Sequence, residues 1–301
     1  MRTRESPASP LLDLHCHSEA SDGTLSPGQV VARASNYGVR VLALTDHDTI
    51  AGIDEAAAVA STLGMVFIAG AEFSCLWRGQ TIHVVGLDFN HQDPDLIQAV
   101  GAQEEVRRNR AITIDERLRG LGLPSVLADA RALAAGVPGR PHFARALLER
   151  RIVSRIDSAF SRYLGTGRAG DVSACWPEVA RVVGWIQAAG GVAVLAHPRK
   201  YRLTNTKLRA LVSDFSASGG RSLEVLSSGQ SPQDAEYLTR LCREFSCWAS
   251  GGSDFHQPGR HWCELGRLPT LPKGAEPVWH HFRTATRAAI NRLPELVPQG
   301  E

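Results

Sequence analysis

Asp13-Leu14-His15-Cys16-His17-Ser18 is the stretch on which the reading of this chain turns. The hexapeptide follows an apolar run, and in a strand the side chains at i and i+2 share a face. His15 and His17 can therefore grip one metal ion while Cys16 points away from it. Taken alone, the pair reads equally well as two hydrogen-bonded surface histidines. The rest of the chain decides between the two.

Further apolar runs end in metal-binding residue types. Val41-Leu42-Ala43-Leu44 leads into Thr45-Asp46-His47-Asp48, Val66-Phe67-Ile68-Ala69-Gly70 into Glu72, and Val192-Ala193-Val194-Leu195-Ala196 into His197. Past the segment Phe245 to Ser250 and a Gly251-Gly252 turn, Asp254 and His256 stand again at i and i+2. His83 lies inside the run Thr81 to Leu87, where alternation leaves one face free for an inward polar group. Six of the 11 histidines thus fall on strand-like segments. Histidines buried only for packing would not keep choosing strand ends.

Seven candidate strands, near residues 11–15, 40–45, 66–70, 81–87, 192–196, 222–226 and 246–250, alternate with helical patterns such as Ser26 to Tyr37 and Ile50 to Leu63. Short apolar runs flanked by helices mark a parallel α/β layout. Their C-terminal ends are expected to converge on the face that carries the active site in closed α/β barrels.

At these positions the chain resembles the PHP (polymerase and histidinol phosphatase) domain family. The family's motifs are matched by Asp13-Leu14-His15-Cys16-His17-Ser18, Thr45-Asp46-His47-Asp48, Gly70-Ala71-Glu72, Ala196-His197-Pro198 and Gly252-Ser253-Asp254-Phe255-His256. The resemblance covers nearly the whole chain outside residues 100–170. Within the family the chain looks most like the branch of 3′,5′-nucleoside bisphosphate phosphatases and RNase AM, through Arg140-Pro141-His142-Phe143-Ala144-Arg145 and Ala196-His197-Pro198-Arg199-Lys200-Tyr201-Arg202.

The resemblance implies a distorted, TIM-like (β/α) barrel of seven strands around three divalent metal ions, manganese first, with iron or zinc as alternatives. Carried over by motif position, His15, His17, Glu72 and Asp254 would hold the first ion. Glu72 would bridge to a second, held also by His83 and His197, and Asp22, His47 and His256 would hold the third. Asp254, His256 and Glu72 are the expected catalytic set. Three dications against three carboxylates leave a site of about +3, which attracts a phosphate dianion. Water bridging the ions would become the nucleophilic hydroxide near neutral pH. Mixed histidine and carboxylate ligation favours Mn, Fe or Zn over Mg. Asp13 and Asp46 read either as partners orienting a histidine or as turn hydrogen-bonders.

From Gly101 to Gly170 the alternation breaks, and the pattern predicts helices over Ile97 to Leu121, Val126 to Ala135 and Arg140 to Arg151. The expected division is a barrel over residues 11–99 and 171–292, interrupted by a helical substrate-binding insertion at 100–170. The stretch Gly101 to Gly170 carries 13 arginines against seven acidic residues, a local +6 on a chain of net +2. Such asymmetry suits an overhang that meets a second phosphate. The chain-wide bias, 30 Arg against three Lys, is the plain alternative. Arg107, Arg108, Arg110, Arg117 and Arg119 read as a solvated helix face. Arg140, His142 and Arg145 read as phosphate contacts at a helix start. Arg199, Lys200 and Arg202, directly after His197, would pass the bound phosphate. Tyr163, Trp176 and Tyr201 could stack on a base, although packing is the commoner role for any one of them.

No apolar run approaches the ~20 residues needed to span a bilayer, and Met1-Arg2-Thr3-Arg4-Glu5-Ser6-Pro7 has no apolar signal core. The six cysteines form no Cys-x-x-Cys pair, as expected of reduced thiols in the cytoplasm. The leading functional expectation is removal of the 3′-phosphate from nucleoside 3′,5′-bisphosphates. The alternative is a 5′→3′ exoribonuclease on short 5′-phosphorylated RNA, because an internucleotide phosphate is a 3′-phosphate bearing one more nucleotide. Histidinol phosphatase ranks below both, since its substrate has no second phosphate. A non-catalytic metal- or nucleic-acid-binding module ranks lowest, since a net charge of +2 gives little grip on polymers. Substrate is thus a nucleotide or short RNA, with no membrane and no stable protein partner implied.

Overall fold

The computed structural model describes residues 12–172 and 176–293. The expectations for the segment Met1 to Pro7 and for Cys175 lie outside the described residues. Seven strands form one sheet in chain order: β1 (Leu12–Asp13), β2 (Val41–Leu44), β3 (Val66–Trp77), β4 (Gln80–Leu87), β5 (Val192–Leu195), β6 (Ser222–Ser227) and β7 (Trp248–Gly252). The sheet curls into a nearly closed α/β barrel. Along the seam, Leu14 N donates to Gly251 O (3.1 Å), Asp254 N to His15 O (2.8 Å) and His17 N to Phe255 O (2.8 Å). A Cβ on Gly252 would lie 2.1 Å from that of His15, so the seam closes only over glycine.

The expected all-parallel layout holds for every pairing except those of β4, which runs antiparallel to both β3 and β5. The cause is local. Only Arg78 and Gly79 separate β3 from β4, and their φ values of 49° and 78° make the left-handed two-residue turn that hairpins favour. A parallel crossover needs a dozen residues or more. Alternation then sorts the side chains: Val41, Ala43, Val85 and Leu87 join Val278 and Phe282 in one apolar cluster, while Leu42 and Leu44 face the surrounding helices.

Those helices are α1 (Pro27–Asn36), α2 (Ile53–Thr62), α3 (Pro94–Gly120), α4 (Leu127–Ala132), α5 (Arg140–Glu149), α6 (Ile156–Ala159), α7 (Val179–Ala188), α8 (Asn205–Ala217), α9 (Pro232–Glu244) and α10 (Thr284–Asn291). Ser26 caps α1 in a reciprocal pair with Gln29, and Pro27 occupies the first turn, where no N–H is missed. Asp93 caps α3, whose 27 residues span about 40 Å. One end of α3 buries Leu96 and Val100 against the barrel. The other end buries Ala111, Ile114 and Leu118 in a second cluster with Val126, Phe143 and Leu147. Among the described residues, no helix is long and apolar enough to cross a membrane, and five cysteines are free thiols.

Candidate metal centre

The loops leaving β1, β2, β5 and β7 bring His15, His17, Asp22, His47, His197, Asp254 and His256 to one end of the barrel. Glu72 sits within β3, beyond the strand end expected at residue 70, and a bridge to His47 sets it level with that histidine. His83 reaches the same place from the middle of β4. Cys16 turns away, its Sγ 3.2 Å from Ala43 O.

Glu72 is the hub. Its Oε1 lies 2.9 Å from both His83 Nδ1 and His197 Nε2, and its Oε2 lies 2.9 Å from His47 Nδ1 and 3.4 Å from the Nε2 atoms of His15 and His17. Those two Nε2 atoms are 3.1 Å apart, and Asp254 Oδ1 is 3.2 Å from the one on His17. On the far side, Asp22 Oδ1 lies 3.3 Å from His256 Nε2, and Asp22 Oδ2 lies 3.8 Å from His47 Nε2. The donor atoms fall into three groups, each within 4.8 Å: His15, His17 and Glu72; His47, Glu72 and His83; and His17, Asp22, His47 and His256.

These residues fit divalent cations. Nδ1 of His17 and His197 is buried without a hydrogen-bond partner, and His47 Nδ1, Glu72 Oε2 and Asp22 Oδ1, although close to one another or to His256, meet no partner in hydrogen-bonding geometry; such an arrangement costs stability unless a ligand repays it. The charges agree. Burial works against Glu72, Asp22 and Asp254, yet the neighbouring histidines hold all three well below the usual carboxylate range. His17 is pushed down to about 3 by burial and by His256 and His47. His256 is opposed by burial but carried up to about 9 by Asp22 and Asp254. Protons on imidazoles thus balance the carboxylates, and a cation in their place would release them.

The partner that orients a ring nitrogen is Glu224, buried on β6. Its Oε1 lies 3.1 Å from His15 Nδ1, and its Oε2 accepts from His197 N at 2.5 Å. Sequence reading missed it; the signal was a lone acid inside the apolar run Leu223-Glu224-Val225. Asp13 and Asp46 touch no imidazole. Asp13 accepts from Ser253 N and Gly266 N, and Asp46 from Ser18 and Ser21, so both brace loops, as the turn-bonding reading has it.

The arginine face of α3 needs correction. Arg107 is not solvated: it reaches into the barrel to pair with Asp48 at 2.6 Å. Arg110 is also buried and donates to Val172 O. Arg108, Arg117 and Arg119 are exposed as expected, Arg108 pairing with Glu104 and Glu105 in solvent. Tyr201 is engaged by its hydroxyl, accepting from His83 N and donating to Ala196 O, both at 2.9 Å. Trp176 is buried beneath the guanidiniums of Arg107 and Arg110. Tyr163 packs on the second cluster.

Lys200 Nζ lies 2.5 Å from Asp254 Oδ2. Arg199 is turned instead to Asp234 and Asn205, and Arg202 is exposed. At the start of α5, Arg140 donates to Leu164 O and lies 3.5 Å from Asp171. His142 Nδ1 accepts from Gly139 N at 3.1 Å. That bond leaves Nε2 as the protonated nitrogen, and burial lowers the pKa, so His142 is a neutral donor. Arg145 is half-buried and has no charge partner among the described residues. Between the barrel and this segment lies a cavity of about 420 Å³, lined by His47, Thr49, Glu104, Arg107 and Gly136.

An α/β barrel that gathers six imidazoles and three carboxylates at one end is the architecture of a metal-dependent hydrolase. Residues 13–117 match the PHP domain. The chain is 44% identical over 270 residues to a 5′-3′ exoribonuclease of Haemophilus influenzae, covering 90% of this chain and 98% of that one. It is 37% identical over 273 residues to the 3′,5′-nucleoside bisphosphate phosphatase of Chromobacterium violaceum, covering 90% and 96%. Among solved structures, an amidohydrolase from Chromobacterium violaceum with bound sulfate superposes with a TM-score of 0.85 at 36% identity, covering 93% of this chain and 96% of that one. The chain belongs to the PHP family. It is a metal-dependent enzyme that hydrolyses phosphate ester bonds.

Proposed function

We propose that this enzyme removes the 3′-phosphate from nucleoside 3′,5′-bisphosphates, with the 5′-phosphate read by the helical segment between β4 and β5. The observation that carries this reading is the placement of Arg145 and His142 on α5, two donors with no anionic partner among the described residues, with the charge of Asp22 felt at His142. A phosphate that bound only at the metals would need neither of them.

His15, His17, Asp22, His47, Glu72, His83, His197, Asp254 and His256 are the proposed ligands of three divalent ions, manganese first. When bound, such ions would polarise the phosphoryl oxygens and acidify water. Within this frame the chain's own residues divide the work. Glu72 joins the donor groups, Glu224 fixes the ring of His15, and Lys200 holds one oxygen of Asp254. The other oxygen of Asp254, 3.2 Å from His17 Nε2, faces the donor cluster, where it would help to hold an ion and to orient the attacking water. His256 stands beside Asp22, on the side of the cluster that faces α5. The side chains of Arg140, His142 and Arg145 on α5 receive the distal phosphate.

A second reading is 5′→3′ hydrolysis of short RNA, favoured by the identity to the Haemophilus enzyme. Incubating Mn²⁺-loaded enzyme with adenosine 3′,5′-bisphosphate and with a 5′-phosphorylated RNA oligomer, with products resolved by chromatography, separates them. Inorganic phosphate and AMP from the first substrate, with the oligomer intact, supports phosphatase action. Mononucleotides from the oligomer at a higher kcat/KM would replace that reading by the second.

The recognition half has its own test. A charge-assisted contact is worth about 1.5–3 kcal/mol, so Arg145→Ala lowers kcat/KM for a 5′-phosphorylated substrate by roughly ten- to a hundredfold. With adenosine 3′-monophosphate the change is small. Equal losses on both substrates would assign Arg145 to the fold or to the reacting phosphate.

A further inference from the structure

Arg107 lies on α3, yet its guanidinium lies against the loop that carries His47. Its Nε and Nη2 lie 2.7 and 2.6 Å from Asp48 Oδ2. The other oxygen of Asp48 accepts from Ser74 N at 2.6 Å and from Gln103 Nε2 at 2.9 Å. Asp48 is 1% exposed and sits at φ 52°, a left-handed conformation that a non-glycine residue keeps only where its surroundings over-determine it. Four donors on one carboxylate are that over-determination. The Asp48 amide, which is also the peptide following His47, donates to Glu72 O at 2.9 Å. Two residues one helical turn apart, Gln103 and Arg107, therefore clamp the backbone that aims the imidazole of His47.

The same guanidinium stacks 5.5 Å above the ring of Trp176 and lies close to Gly139, the residue before α5. Arg107 and His47 line one cavity. We propose that Arg107 is a positioning residue: acting through Asp48, it holds His47 in register with the other metal donors and ties the phosphate-reading helix to the metal centre. This rests on the reading of His47 as a ligand. A lysine cannot reproduce the grip, because one ammonium replaces a planar fork whose two N–H groups meet the same carboxylate.

The test compares wild type, Arg107→Ala, Arg107→Lys, Asp48→Asn and the Arg107→Ala/Asp48→Asn double variant. Mn²⁺ affinity of the metal-free protein is measured by calorimetry, and kcat and KM with adenosine 3′,5′-bisphosphate at saturating Mn²⁺. Partners that orient a metal ligand are worth about ten- to a hundredfold in affinity or activity, so each single variant should weaken the loosest Mn²⁺ and lower kcat by at least about tenfold, with KM little changed. The double variant should be no worse than the poorer single one. Arg107→Lys keeps a cation beside buried Asp48 and supplies the reading if the alanine variant does not fold. Variants with lower Tm but wild-type affinity and kcat would reduce the pair to a fold staple and overturn the proposal. So would losses that add in the double variant and appear in KM, the mark of direct contact with substrate. A wild type that takes up no Mn²⁺ removes the metal centre and this proposal with it, whereas a wild type that binds and variants that match it remove this proposal alone.

Discussion

Asp254→Asn leaves a folded barrel that turns over its substrate at least ~10³-fold more slowly, since several kcal/mol of charge stabilisation are at stake and each 1.36 kcal/mol is a factor of ten. Asparagine is the right probe. Asp254 sits at φ 54°, and asparagine tolerates the left-handed region that alanine would occupy under strain. The amide keeps the shape and one acceptor oxygen but loses the charge that answers His15, His17 and Lys200. It also cannot take a proton from water. The fold does not hang on this side chain, because the seam beside it is closed by backbone bonds. His91, paired among the described residues with exposed Asp54, is the control, and His91→Ala keeps full activity. Near-normal turnover in Asp254→Asn would remove Asp254 from the mechanism.

Exhaustive chelation abolishes activity and lowers Tm together. Ions that bind only the folded state at a thousandfold excess over Kd contribute about 4 kcal/mol, which on a chain of this size is on the order of 10 °C. The orphaned nitrogens and oxygens around Glu72 add to the effect, because without a cation they stay buried and unpaired. Calorimetric scans before and after dialysis against a chelator, with metal analysis of both samples, read the result. Less than one equivalent of metal per chain with activity intact would end the metal-centre reading.

Much of this was legible beforehand because metal ligands in an α/β barrel cluster at strand ends, and strand ends can be read as the places where apolar runs stop. His15, His47, His197 and Asp254, all proposed ligands, stand just past such stops. The direction of β4 was not legible from its alternation, which is the same for parallel and antiparallel strands. The expected strands at 66–70 and 81–87 left ten residues between them, already short of the dozen that a crossover needs, and β3 running on to Trp77 cuts the interval to Arg78-Gly79. Arg107 shows a different limit. Arg107 and Arg108 look alike as sequence, yet helical geometry turns Arg107 with Gln103 toward the barrel and leaves Arg108 in solvent beside Glu104. Only the fold says which face of a long polar helix is inward. Glu224 was hidden for a related reason: its partners stand 209 and 27 residues away.

The seam between β1 and β7 has a consequence for the life of the chain before it is complete. His15 and His17 are made before Asp254 and His256, which follow them by 239 residues. A nascent chain made as far as residue 250 already carries seven of the nine proposed ligands, but it lacks the strand end that closes the barrel over Gly252. Hydrolytic power therefore cannot appear gradually during synthesis. A translation product that stops ahead of β7 lacks both the closing strand and two of the proposed ligands, so on this ligand set it carries no assembled site.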